Sequence, residues 1–168
     1  MIRELWLLIK MLFASKPSDI LKMEHLEIVV MRNFPFRGYR YMMWCGKIVT
    51  RSEKKAVIER FMTTAAGKRS ETHEYGHALQ AESEHGDNWI RYYINYYWHW
   101  LRGNPLVHPG SSAYYTNRYE MEAYGNEHRP EYWVNYNRAN LRGKYTIKRR
   151  KATYREHRDH WKEYCKSL

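Results

Sequence analysis

The stretch Ser70-Glu71-Thr72-His73-Glu74-Tyr75-Gly76-His77-Ala78-Leu79-Gln80-Ala81-Glu82-Ser83-Glu84-His85-Gly86 decides how this chain is read. Serine favours helix N-caps and glycine favours helix ends, so a helix is expected from about Glu71 to Glu84, capped by Ser70 and stopped at Gly86. Helical residues four apart lie one turn from each other on one face, so His73 and His77 present two imidazoles to a single ion. Glu74, beside them, is badly placed to reach that ion directly but well placed to hold and deprotonate a water next to it, the role of the glutamate in an H-E-x-x-H pattern. Zinc is the expected occupant, because it accepts imidazole and carboxylate ligands and its catalytic sites keep one position open for water. Gly76 and Ala78 are small enough to let another element pack closely on this helix.

Working downstream, Asp87 or Asn88 caps a second helix, Trp89 to Arg102, which Gly103 and Pro105 close. This helix is apolar or aromatic nearly all round, which predicts burial on several sides or contact with a membrane. A loop rich in Pro, Gly and Ser runs from Asn104 to Thr116, and a third helix is expected from Asn117 to just before Pro130. Two further helical patterns cover about Glu131 to Leu141 and Ala152 to Lys166. Upstream, Ile28-Val29-Val30, Met42-Met43-Trp44 and Lys47-Ile48-Val49-Thr50 read as a few short strands separated by the turn-like Asn33-Phe34-Pro35-Phe36-Arg37-Gly38. The expected fold class is α+β: mostly helical, with a small antiparallel sheet near the N-terminus packed on the helical core that carries the paired histidines.

A chain of 168 residues with 43% hydrophobic and 28% charged residues is sized and composed for one folded domain. Residues 1–22 read as an N-terminal extension and residues 23–168 as the single domain. The apolar run Leu5 to Ile9 is broken by Lys10 and lacks a cleavage signature, so it makes a poor signal peptide. No stretch approaches the roughly 20 apolar residues of a spanning helix. Cys45 and Cys165 stand far apart without a CxxC pair, which argues against a disulfide framework or a thiolate zinc site and favours a reducing, cytoplasmic setting.

The net charge of +11 predicts affinity for something negative: nucleic acid, an anionic lipid surface or an acidic partner. The basic segment Arg142 to Lys162, interleaved with aromatics, is where such a partner would bind, against the plainer reading of a solvated helix face. His157 and His160 within it make a weak metal pair. The high aromatic content is read mainly as core.

A catalytic zinc needs a third protein ligand, and the segment Asn117-Arg118-Tyr119-Glu120-Met121-Glu122-Ala123-Tyr124-Gly125-Asn126-Glu127 can supply one. Here the chain resembles the gluzincins, zinc peptidases with H-E-x-x-H on one helix and a glutamate ligand on a later one. Glu120-Met121-Glu122-Ala123 matches the second motif of their prenyl-protease-like and phage-repressor-cleaving branches. The combination of T-x-H-E-x-x-H, an aromatic helix and E-x-E-A-Y-x-N-E is similar, more closely, to small metallopeptidase-like proteins of gut Bacteroidales, over roughly Phe34 to Tyr136. The resemblance implies a minimal zincin-like fold, His73, His77 and Glu120 as zinc ligands, and Glu74 as general base. Tyr124 departs from it: the prenyl-protease-like branch has an aspartate there, which leaves Glu127 or a backbone carbonyl to orient a ligand imidazole.

Glu120 also fits a capping box with Asn117, which would turn its carboxylate to the helix end and leave Glu122 as the substitute ligand. His108, Tyr114 and Tyr115 are candidates for stabilising an oxyanion, while His85 and His99 read as incidental. The expected function is zinc-dependent hydrolysis of a peptide or protein substrate. The alternative is a non-catalytic basic module that docks on a membrane surface or nucleic acid and carries a structural zinc.

Overall fold

The computed structural model describes residues 2–13, 16–34, 40–51, 53–102, 117–134 and 136. Among them the fold is mixed α and β, with a four-stranded sheet near the N-terminus. In chain order the elements are α1 (Ile2–Phe13), β1 (Asp19–Lys22), β2 (Glu27–Met31), β3 (Tyr41–Trp44), β4 (Lys47–Arg51), α2 (Lys55–Met62), α3 (Ala65–His85), α4 (Trp89–Arg102), α5 (Arg118–Asn126) and α6 (Pro130–Val134). The chain divides into two compact units, residues 1–75 and 76–168, and the division falls inside α3.

In the first unit the strand order is β1-β2-β4-β3. The sheet departs from the antiparallel expectation: β1 pairs β2 and β3 pairs β4 antiparallel, but β2 and β4 run parallel with Ile28 opposite Ile48 and Val29 opposite Val49. The cause is topological. After β2 the chain places β3 at the far edge, and the tight turn Cys45-Gly46, both residues at positive φ, folds β4 back into the gap beside β2. Successive side chains alternate between faces, so one face of the central strands carries Val29, Met31 and Val49. Met11 of α1 packs with these three, joined at the margin by Phe34, Met42 and Trp44. The other face carries the buried Ile28, Val30 and Ile48, while α2, lying against β1, buries Ile58 and Met62. Met11 in this core and β1 at the sheet edge both come from the segment that reads in sequence as an extension.

Helix α3 starts at Ala65, six residues before the expected start. Its cap is Thr64, whose hydroxyl accepts from the Gly67 amide at 3.1 Å. Ser70 lies inside the helix and turns its hydroxyl back to the Ala66 carbonyl at 3.0 Å. Gly67 has a steric role, since a β-carbon there would fall 2.2 Å from the Phe61 carbonyl oxygen where α2 hands over to α3. The helix ends where Gly86 and Asp87 both take positive φ. Near its start Glu71 accepts from the His25 amide at 3.3 Å, and the His25 ring stacks on Tyr75 with centroids 4.4 Å apart.

In the second unit α4 spans the expected residues, with Asn88 capping it by accepting from the Arg91 amide at 3.1 Å. Its burial is one-sided. Tyr92 is buried with Ala81 and Tyr119, with Trp89, Tyr93 and Tyr96 around them, while Ile90, Ile94, Tyr97, Trp98 and Leu101 face outward. Helix α5 begins after Asn117, whose side chain accepts from the Tyr119 amide at 3.1 Å, and it buries nearly its whole length. Among the described residues no helix is long and apolar enough to cross a membrane.

Candidate metal centre

His73 and His77, one turn apart on α3, and Glu120, in the first turn of α5, are buried, and one ligand atom from each lies within 4.8 Å of the others. The Nε2 atom of His77 lies 3.5 Å from Oε1 of Glu120. Ligand bonds of about 2.1 Å in a tetrahedral zinc site put neighbouring donor atoms about 3.4 Å apart, so this separation is already that of two corners around one ion. Two imidazoles and one carboxylate are also the donor set of a three-ligand hydrolytic zinc site. The residues present therefore fit a zinc ion. Glu74 follows His73 on the same helix and is buried with the cluster residues.

Oε1 of Glu120 faces both His77 of α3 and Tyr96 of α4. The Tyr96 hydroxyl of α4 donates a short hydrogen bond to Oε1 of Glu120, the same oxygen that faces His77. The Tyr96 ring stands edge-on to His77, with centroids 6.2 Å apart. The aromatic helix thus supplies a half-buried donor to the candidate ligand, which its sequence gives no sign of.

Glu122 has another task. Its carboxylate accepts from Tyr132 at 2.7 Å, from Tyr136 at 3.1 Å and from the side-chain amide of Gln80 at 2.8 Å. Burial pushes this carboxyl above its ordinary range, and the three donors act in the opposite direction by favouring its charged form. The same Gln80 amide nitrogen donates to the Tyr119 carbonyl at 3.1 Å. Its carbonyl oxygen then lies 2.9 Å from Nδ1 of His77, with the Tyr92 hydroxyl 3.0 Å from that nitrogen.

The contacts on Nδ1 of His77 come from its own helix and from α4. Tyr124 is more than a third exposed, Glu127 stands at the C-cap of α5, and Gln80, three residues along the same helix, stands against His77. The i, i+3 spacing is the only signal in the sequence for this pair. His85 meets the Tyr119 hydroxyl at 3.2 Å and His99 stands edge-on to the Tyr119 ring, so both belong to the aromatic packing around Tyr119. Burial pushes that phenol up to about 12, and the adjoining Arg118, ion-paired to Glu84, pulls the other way. His108, Tyr114, Tyr115, His157, His160 and the basic C-terminal segment lie outside the described residues.

Gly76, inside the histidine pair, meets Trp133 of α6, which is buried and whose indole N–H donates to the Asn126 carbonyl at 3.3 Å. The small residue allows the indole to lie directly on the backbone of the histidine helix. No family model, no curated protein and no solved structure matches the chain. Function is therefore read from the site itself.

Proposed function

We propose that the chain is a zinc-dependent metallopeptidase of gluzincin type on a minimal zincin-like fold, with His73, His77 and Glu120 holding the ion and Glu74 as general base. The observation that supports this reading is the convergence of a buried His-His-Glu set, drawn from two helices, with one ligand atom of each within 4.8 Å of the others. When bound, zinc supplies Lewis acidity, polarising a carbonyl and lowering the pKa of a nearby water. The chain's own residues do the rest. Glu74 accepts a proton from the attacking water as the new C–O bond forms at the scissile carbonyl, and returns it to the departing amide nitrogen as the C–N bond breaks. Tyr96 and Gln80 keep Glu120 and His77 turned toward the shared space while this happens.

The test is Glu74→Gln, read by mass spectrometry on a mixed peptide pool digested with zinc-loaded protein. The glutamine variant keeps its zinc and loses cleavage by two or more orders of magnitude. Cleavage by Glu74→Gln at the wild-type rate sinks the peptidase reading.

A second reading is favoured by the outward stripe of Ile90, Ile94, Tyr97, Trp98 and Leu101 on α4 together with the charge of +11. In it the chain is a peripheral module on an anionic surface, its zinc structural. Salt-sensitive binding to anionic but not neutral vesicles, without peptide cleavage, selects it.

A further inference from the structure

We propose that Gln80 is a positioning residue: its side-chain carbonyl holds His77 in the tautomer that is protonated on Nδ1, so that Nε2 presents a lone pair toward Glu120. The consequence for zinc rests on the metallopeptidase reading; the tautomer does not.

The donors and acceptors around Gln80 fix which way its side chain points. A carboxamide has one end that only donates and one that only accepts. The donating end of Gln80 points at two acceptors, the Tyr119 carbonyl at 3.1 Å and the Glu122 carboxylate at 2.8 Å. Turning the amide over would set its oxygen against both of those oxygens, in a site where Gln80 and Glu122 are buried and such a clash is not relieved by water. The accepting end is therefore fixed toward Nδ1 of His77 at 2.9 Å, and an acceptor at that distance requires the proton on Nδ1. Tyr92 accommodates either tautomer: with the proton on Nδ1, its hydroxyl accepts there at 3.0 Å and donates to the same Gln80 oxygen at 3.4 Å.

The anchor of the relay is Glu122, held in turn by Tyr132 and Tyr136 from the segment after α5. A carboxylate thus reaches the histidine through an intervening amide, where metal sites more often place it directly against the imidazole. A competing pull comes from Glu120, 3.5 Å from Nε2, which would favour the other tautomer. It is farther away, and Tyr96 already donates to the same oxygen.

The test reads the tautomer first, on the full chain without metal and at a pH where histidine is neutral. Long-range proton–nitrogen NMR of the His77 ring distinguishes the two forms. The expected result is Nδ1–H in the wild type and a mixture in Gln80→Leu. Zinc titration against a chromophoric chelator then shows Gln80→Leu weaker by about 10- to 100-fold. An Nε2–H ring in the wild type overturns the proposal without any variant having to fold. So does a Gln80→Leu protein whose ring tautomer and zinc affinity both match the wild type. A wild-type ring in the Nδ1–H form in a protein that takes up no zinc upholds the positioning of His77 and sinks the metallopeptidase reading instead.

Discussion

The six-membered ring of Trp133 lies over Gly76 so closely that a β-carbon on residue 76 would fall 2.5 Å from Cζ2 and 2.7 Å from Cη2. Trp133 is fully buried and tied by its N–H to Asn126, so it has nowhere to retreat. Gly76→Ala is expected to lower stability by about 1–3 kcal/mol, the usual cost of overpacking a tight core. Thermal unfolding followed by circular dichroism checks it. Combining Gly76→Ala with Trp133→Leu should cost less than the sum of the two single changes.

Thr64 takes the capping role that the sequence suggests for Ser70. Thr64→Ala removes the cap of α3 and is expected to cost about 1 kcal/mol. Ser70→Ala removes only a hydroxyl bonded back to Ala66 and improves helix propensity, so it should be neutral or slightly stabilising. Urea midpoints of the two variants give the comparison.

Tyr96 matters to the candidate centre through one hydroxyl. Tyr96→Phe keeps the ring against Tyr92 and Tyr119 but removes the donor to Glu120. Zinc affinity measured by calorimetry should fall about tenfold with little change in melting temperature.

The N-terminal unit carries a pH signature at Tyr41. Burial pushes this phenol up to about 12, with Arg40 acting in the opposite direction. A group whose folded value lies above its unfolded value of 10 contributes stability that is whole below pH 10 and is lost as pH rises from 10 toward 12. Among the described residues the buried hydroxyl makes no hydrogen bond. Tyr41→Phe should therefore leave stability at pH 7 unchanged or improved, and flatten the decline above pH 10. Urea midpoints at pH 7, 9 and 11 decide it.

What the sequence discloses about this molecule follows from how local each signal is. Helix α4 is legible to the residue, because Asn88 and the aromatic run are contiguous signals. The start of α3 is not, because Ser70 offers a cap that the chain does not use, while the cap it does use, Thr64, stands six residues upstream. Alternation marks β2, β3 and β4 but carries nothing about neighbour order, so the parallel pairing of β2 with β4 stays hidden. β1 is four residues long at an edge, too short to announce itself. At the site, the spacing of His73 and His77 speaks plainly. The turn of Glu120 toward them depends on Tyr96 from another helix, and Gln80 carries no motif at all; both are products of packing across tens of residues.

The most direct measurement is zinc stoichiometry of the full chain after equilibrium dialysis, by elemental analysis, beside His73→Ala and Glu120→Ala. A centre built from His73, His77 and Glu120 predicts one zinc per chain in the wild type and at least a 100-fold loss of affinity in each variant, with helical circular dichroism retained. A wild-type chain that emerges without zinc, or a His73→Ala chain that holds one zinc as tightly as the wild type, contradicts it.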